Sequence, residues 1–275
     1  MRFVAPPRSA VDPGAFTRPP LSHWRQFDAL LTGRDWPGSA TLNGLRRGAT
    51  DPVPMPCFVA QTPALLADGL HYEQRIAERG EIATREGNWH DLLNALVWLR
   101  YPALKAALNA RQVAEIAIAG PKRRTRAQCA LTHFDEAGIV VVLRDPALLE
   151  LWDAHDWHGL FWRERAAWSD GRIAVLVFGH ALLEHALKPG QLLVGKALAV
   201  AIPQSGEVEN AALGKLASAI AAARVLNDPQ ELRPLPLSGI PGWHLDNADE
   251  RFYREAPCFC PLREGRRYPT PFAAG

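Results

Sequence analysis

The chain has 275 residues, of which 48% are hydrophobic and 22% charged, and its formal net charge at pH 7 is +2. This composition is ordinary for a globular protein with a full hydrophobic core, and so small a net charge argues against a protein that coats nucleic acid. The sequence lacks an apolar signal segment and any uncharged run long enough to cross a bilayer, so no membrane partner is expected. Four cysteines are too few for a disulfide scaffold, which favours a reducing, cytoplasmic location.

Residues 1–57 are rich in proline and glycine, which predicts an extended N-terminal arm. One short helix is expected within 21–33, where apolar residues recur at helical spacing, so the arm should pack on the body of the protein. The main domain is then predicted over 58–268, and a short C-terminal tail over 269–275.

Two helices are signalled by their ends. Thr62 suits the cap and Gly80 the end of one helix. Asn88 suits the cap of a second, apolar helix over 89–99, in which Asp91 holds the third position. Further helices are predicted over 102–111, 125–134 and 209–226. The carboxylates of Asp135 and Glu136 follow one of these helices, and a turn over 135–138 accounts for them.

Strand patterns are clearest in three segments, 139–143, 172–178 and 192–202. Together with the helices they predict an α+β fold, or a mixed α/β fold. The expected architecture is a helix-rich single body with a small sheet of about three or more strands.

The helix over 89–99 carries a polar notch near its start. His90 and Asn94 are four residues apart on one face, and Asp91 lies beside both. Because the helix is otherwise apolar, the notch should face a cleft or pair with buried partners. Arg85, just before the helix, could hold a carboxylate or phosphate with two hydrogen bonds. A capping aspartate and an ordinary imidazole would explain the notch without a site.

A second candidate lies where the strand over 172–178 gives way to a helix. His180 and Glu184 are four residues apart, a spacing that suits joint metal ligation or a histidine–carboxylate hydrogen bond. Backbone N–H groups at such a helix start also favour ligand binding. An ion pair between Glu184 and Lys188 on a solvated face is the plain alternative.

Glu73 is the third candidate because it falls on an apolar helical stripe with Leu70 and Ile76. A carboxylate is costly to bury unless a cation, a metal or strong donors meet it. We therefore expect Glu73 to be largely buried and paired. A surface ion pair with Arg75 or Arg79 would explain it without a site.

Four blocks of the sequence carry a family resemblance. They are HYEQRIAERGEIATREGNWHDLLNALVWLRYPALKAALN (71–109), RTRAQCALTHFDEAGIVVV (124–142), FGHALLE (178–184) and PLSGIPGW (236–243). They resemble an uncharacterised family, found chiefly in proteobacteria and known only as a domain of unknown function, over about residues 58–268. The family pattern has an aspartate where this chain has Cys129. The resemblance implies no activity, fold or cofactor. It implies that the motif blocks include Glu73, Arg85, Asn88, His90, Asp91, Asn94, Asp135, Glu136, His180 and Glu184.

These observations lead to the hypothesis of an enzyme with a cleft between the His90 helix and the His180 helix. The assigned residues are His90, His180, Asp91 and Arg85 for catalysis, Asn88 and Asn94 for substrate binding, and Glu73 and Glu184 for a divalent metal. With a metal, an activated water would hydrolyse a small anionic substrate. Without one, acid–base chemistry on such a molecule is the expectation.

The alternative is a non-enzymatic protein that binds nucleic acid or a partner. It would use the basic run KRRTR (122–126) and the tryptophan-rich segment 152–168. Tryptophans more often anchor a core, and an isolated basic run is more often solvated surface, so nucleic acid is the less favoured partner. A binding protein should present the basic run and exposed rings on one face, whereas an enzyme should line a concave pocket with polar residues.

Overall fold

A mixed sheet of five strands lies at the centre of a helix-rich α+β fold. The structure is a computed structural model that describes residues 3–48, 54–120, 123–203 and 209–274. The strands are β1 (Cys57–Ala60), β2 (Glu81–Thr84), β3 (Gly138–Leu143), β4 (Ile173–Val177), β5 (Val194–Ala201), β6 (Arg233–Pro236) and β7 (Phe272–Ala273). In the main sheet β4, β3, β5 and β6 are adjacent in that order, and β7 pairs with β5. β1 and β2 form a separate parallel pair.

Helices surround the two sheets. The α-helices are α1 (Asp28–Thr32), α2 (Ser39–Gly48), α3 (Pro63–Leu66), α4 (Tyr72–Arg79), α5 (Trp89–Arg100), α6 (Pro102–Ala119), α7 (Arg126–Ala137), α8 (Pro146–Asp153), α9 (His180–His185), α10 (Glu209–Ala221) and α11 (Phe252–Glu255). Within the described ranges, no helix has both the length and the apolarity needed to cross a bilayer.

β3 positions the functional region. All six of its residues are buried between two neighbouring strands, which explains its continuous apolar run. It pairs antiparallel with β4, so that Ile139 near the start of β3 lies opposite Val177 at the end of β4. α7 leads into β3 and α9 follows β4. The end of α7 and the start of α9 therefore meet at the same edge of the sheet.

The predicted strands 139–143, 172–178 and 192–202 are confirmed as β3, β4 and β5. The remaining strands were not predicted. β1 and β2 are four residues long and do not alternate between apolar and polar positions, and β6 reads as a proline-containing loop. Such short segments lack the periodicity that identifies a strand.

Several predicted helix boundaries are wrong: α6 continues to Ala119 instead of ending at 111, and α10 ends at Ala221 instead of 226. The helix expected between Thr62 and Gly80 is two helices, α3 and α4, because the chain turns at Gly69, whose φ of +69° suits glycine. The turn expected over 135–138 does not form, since α7 continues to Ala137. Asp135 and Glu136 are consequently helical residues.

The N-terminal segment packs against α5. Phe16, Leu21 and Trp24 are buried in the same apolar core as that helix. The Trp89 Nε1 group donates a hydrogen bond to the Pro6 carbonyl at 3.1 Å. A 3-10 helix over Leu21–Phe27 and the helices α1 and α2 give this segment more regular structure than the single helix predicted within it.

The tryptophan-rich segment belongs to the core, as the core interpretation predicted. Trp152 and Trp157 are buried, and Trp162 and Trp168 are partly buried against the same core. The indole of Trp152 donates to the Pro234 carbonyl at 2.8 Å. These rings therefore do not form an exposed stacking platform.

Candidate functional site

Two glycines bring the start of α9 against the end of α7. The Gly138 carbonyl accepts hydrogen bonds from the backbone N–H groups of Phe178 and Gly179, at 2.9 and 2.8 Å. A Cβ atom on Gly179 would lie only 2.4 Å from the Gly138 nitrogen. This approach, which only glycine permits, sets His180 beside Glu136.

His90 and His180 meet at the centre of the site. Their Nε2 atoms are 3.0 Å apart and their ring centroids 4.4 Å apart, so the prediction that both lie in one cleft is confirmed. Glu136 Oε2 lies 3.6 Å from His180 Nε2 and 3.9 Å from His90 Nε2. Among the described residues, this is the one set of three histidine, cysteine or acidic side chains whose ligand atoms are mutually close enough to hold a metal ion. We call it the His–His–Glu cluster.

A carboxylate lies behind each imidazole. His90 Nδ1 forms a 3.0 Å hydrogen bond with Glu184 Oε2, which raises the pKa of His90. His180 Nδ1 is buried 3.9 Å from Asp135 Oδ2 and has no hydrogen-bond partner of ordinary geometry among the described side chains. Burial lowers the pKa of His180 to about 3, so its ring is neutral at physiological pH. Neutral imidazole is the form that binds metals.

A buried lysine, Lys105, binds two of the residues that surround the cluster. Lys105, only 4% exposed, donates hydrogen bonds to Asp135 Oδ1 at 2.5 Å and Asn94 Oδ1 at 2.8 Å. Asn94 in turn donates to the Tyr72 hydroxyl at 2.9 Å. Burial alone would raise the pKa of Asp135, but Lys105 and both histidines outweigh it and hold that pKa below its ordinary value. Asp135 is therefore ionised at neutral pH, next to His180.

Glu73 meets the expectation of a paired carboxylate in a sheltered position. It is partly buried, and one of its oxygens accepts a 2.6 Å hydrogen bond from Asn109 Nδ2. Arg75, an alternative partner considered from the sequence, instead pairs with Asp68 and Glu81. No cation among the described residues pairs with Glu73, and burial raises its pKa to about 7.

Replacing Glu73 by Gln is expected to stabilise the protein above pH 7 but not below pH 4.5. The pKa rises from 4.5 in the unfolded chain to about 7 on folding. The wild type therefore loses stability as the pH rises through this window, whereas the glutamine variant does not. The difference should grow to as much as about 3 kcal/mol. Urea unfolding of both proteins across this pH range measures the difference in stability. A difference that does not change with pH would contradict the raised pKa of Glu73.

The side chains of Arg85 and Asn88 both make local contacts with Asp91. Arg85 forms a two-pronged ion pair with Asp91, with contacts of 2.7 Å from Nη2 and 3.1 Å from Nε. The guanidinium proposed to hold a substrate anion is thus already neutralised. Asn88 Oδ1 accepts the Asp91 backbone N–H at 3.1 Å, so its side chain caps α5.

The cluster opens into a cavity of about 300 Å³. Of the residues proposed from the sequence, Glu73, Arg85, His90, Asp91, Asn94 and His180 line the cavity, whereas Asn88 and Glu184 do not.

The sequence suggested Glu73 and Glu184 as metal ligands, but the carboxylate near both Nε2 atoms is that of Glu136. Glu136 lies on α7, which extends one turn further than predicted. Sequence reasoning gave no role to Tyr72, Lys105, Asn109, Asp135 or Glu136. The sequence does contain a weak indication for Lys105 and Asn109, since each is a polar residue next to an apolar position of α6.

Comparison with known proteins gives a family but no function. A family model described as a protein of unknown function (DUF3025) matches residues 57–263. The chain belongs to the DUF3025 family. This confirms the resemblance to an uncharacterised domain family. No curated protein and no solved structure matches the chain. The whole His–His–Glu cluster and its supporting residues lie inside the DUF3025 match.

Proposed function

We propose that this DUF3025 protein is a metal-dependent hydrolase whose divalent ion is held by His90 Nε2, His180 Nε2 and a Glu136 carboxylate oxygen. The convergence of these three atoms carries the proposal. Their separations of 3.0, 3.6 and 3.9 Å bracket the value of about 3.4 Å expected between ligands of a tetrahedral ion with bonds near 2.1 Å.

The carboxylates behind the rings support the same conclusion. The 3.0 Å hydrogen bond with Glu184 places the N–H of His90 on Nδ1 and leaves a lone pair on its Nε2. His180 Nδ1 lies 3.9 Å from Asp135 Oδ2, so a metal bound at His180 Nε2 would leave the N–H of that ring on the side of the carboxylate. The 3.0 Å contact between the two Nε2 atoms holds either the proton of His180 or, as we propose, the divalent ion in its place. Glu184 and Asp135 are accordingly proposed to orient the ligands rather than to bind the ion.

The ligand set indicates the chemistry. Two imidazoles and one carboxylate suit zinc or ferrous iron better than magnesium or calcium. Three protein ligands leave a coordination position open, as in catalytic rather than structural sites. A water bound there has its pKa lowered to about 7 and becomes a nucleophile at neutral pH. Hydrolysis is therefore the favoured reaction, with Glu73 in the same cavity as a group able to exchange a proton near neutral pH.

The non-enzymatic alternative has less support. Its aromatic segment is largely buried, and Arg126 of the basic run pairs with Asp228. Lys122 lies outside the described residues. All four cysteines are free, which supports a reducing, cytoplasmic location for the proposed enzyme.

Metal analysis with activity screening tests the proposal. Protein purified without chelator is expected to carry about one equivalent of a first-row transition metal. Chelator should abolish hydrolysis of a panel of phosphate esters, carboxylate esters and amides, and zinc, iron(II) or manganese should restore it. His180→Ala and Glu136→Ala should lose both metal and activity.

His133→Ala is the matched control, because His133 is exposed on α7 three residues before Glu136 and lies outside the cluster. It should keep wild-type metal content and activity. Equal metal content in wild type and His180→Ala, or full activity in metal-free protein, would refute the proposed function.

A further inference from the structure

The cavity does not end at the His–His–Glu cluster but follows α7 to the other end of that helix. Its wall includes Gln128, Leu131, Thr132, Asp135 and Glu136, whose spacing of three and four residues defines one helical face. Beyond the start of α7 the cavity reaches Arg123 and Arg124. From the helix cap to Glu136 the helical rise spans about 16 Å. The cavity is therefore elongated, with the proposed metal at one end and two arginines at the other.

The cations that line the cavity differ in whether they are already paired. Arg85 is neutralised by Asp91 and Lys105 by Asp135. Arg123 and Arg124 are exposed, and neither makes a side-chain hydrogen bond or ion pair with any residue that the structure describes. Among the lining residues that the structure describes, these two guanidinium groups are consequently the unpaired positive charges. Arginine suits two-pronged binding of carboxylate or phosphate.

The wall between the two ends is mixed. Leu108, Ile116 and Leu131 supply apolar surface, and Gln112 donates a 3.2 Å hydrogen bond to the Thr132 hydroxyl. This part of the wall combines apolar surface with hydrogen-bonding groups, which suits an uncharged chain better than a second anionic group. No unpaired cation among the described lining residues lies between the cluster and the arginines.

We infer that Arg123 and Arg124 anchor the anionic end group of an elongated substrate, a carboxylate or a phosphate, about one helix length from the bond hydrolysed at the His–His–Glu cluster. This inference rests on the proposed function for the position of the hydrolysed bond. The inference gives a function to two of the four basic residues in 122–126, which the sequence alone explains as solvated surface. It also assigns the binding of the substrate anion to Arg123 and Arg124 instead of Arg85.

A series of tethered ligands tests the inference. Acetohydroxamate, a metal-binding head without a tail, is compared by calorimetry on zinc-loaded protein with hydroxamates that carry an alkyl chain of increasing length. The chain ends in a carboxylate, a phosphonate or a neutral methyl ester. At the best length, one of the charged tails should bind about tenfold or more tighter than the ester. Which charged tail binds tighter distinguishes a carboxylate substrate from a phosphate substrate.

The variant Arg123→Ala/Arg124→Ala should lose this advantage while its affinity for acetohydroxamate stays unchanged. Arg126→Ala is the matched control, because Arg126 belongs to the same basic run but pairs with Asp228, and it should keep the advantage. Equal affinity of charged and ester tails in wild type at every length would overturn the inference.

A second measurement separates this outcome from failure of the metal centre. Alkyl carboxylates and alkyl phosphonates without the hydroxamate are titrated into metal-free wild type and the double variant. Binding that is lost in Arg123→Ala/Arg124→Ala supports the anchor even if zinc does not bind. Indistinguishable binding by the two proteins counts against the anchor whatever the metal does.

Discussion

Replacing Lys105 by Met is expected to destabilise the protein by about 3–5 kcal/mol, because it leaves a sheltered carboxylate without its cation. Lys105 is 4% exposed, and its Nζ atom is 2.5 Å from Asp135 Oδ1. The substitution preserves most of the apolar volume of the lysine stem but removes the charge. Asp135 would then be protonated or would draw water into the core. Urea unfolding at neutral pH measures the loss.

Two comparisons show whether the ion pair is the cause. Lys105→Met/Asp135→Asn should recover most of the lost stability, since replacing both partners of a buried pair is far less costly than removing one. Arg251→Met breaks an exposed, solvent-screened ion pair with Asp249 and should leave stability nearly unchanged. If Lys105→Met were no worse than Arg251→Met, the buried pair would not stabilise the fold as described.

The elements predicted well from the sequence are those whose signals are local. β3 is a run of apolar residues bounded by Gly138, and α5 begins at the cap that Asn88 supplies. Both signals depend on residues that are neighbours in the chain. The break at Gly69 was missed because apolar residues continue at helical spacing on both sides of it, so the pattern alone describes one longer helix.

The site was only half predictable because its other half is tertiary. His90 and His180 stood out as polar residues at the starts of apolar helices, and their meeting followed from both helices packing against shared elements. Glu136 was hidden, since an acidic pair before a glycine is typical of a turn. The signal of Lys105, a polar residue next to an apolar helix position, is too weak to predict a buried site residue, because a lysine in a helix is usually solvated. The antiparallel pairing of β3 with β4, which sets the end of α7 beside the start of α9, is what reveals that Glu136 lies next to His180.

Zinc is expected to raise the melting temperature of the metal-free protein by roughly 5–10 °C when it is present at about one hundred times its dissociation constant. That excess stabilises a folded state by about 2.7 kcal/mol, and each kcal/mol shifts the melting temperature of a chain of this size by roughly 2–4 °C. The shift would arise because the cation binds both Nε2 atoms, which lie 3.0 Å apart in the folded protein and not in the unfolded chain. Thermal unfolding with and without zinc measures the shift.

Substitutions at the cluster should separate ligands from supporting groups. His180→Leu should abolish the zinc-induced shift yet leave the metal-free protein nearly as stable, because it removes a buried imidazole whose Nδ1 lacks a well-formed hydrogen bond. Glu184→Gln should weaken zinc binding by about 10–100-fold without abolishing it, as expected for a residue that orients His90. His158→Ala, which disrupts a histidine–glutamate pair outside the cluster, should leave the shift intact. A zinc-induced shift in His180→Leu equal to that of wild type would mean that the ion binds elsewhere.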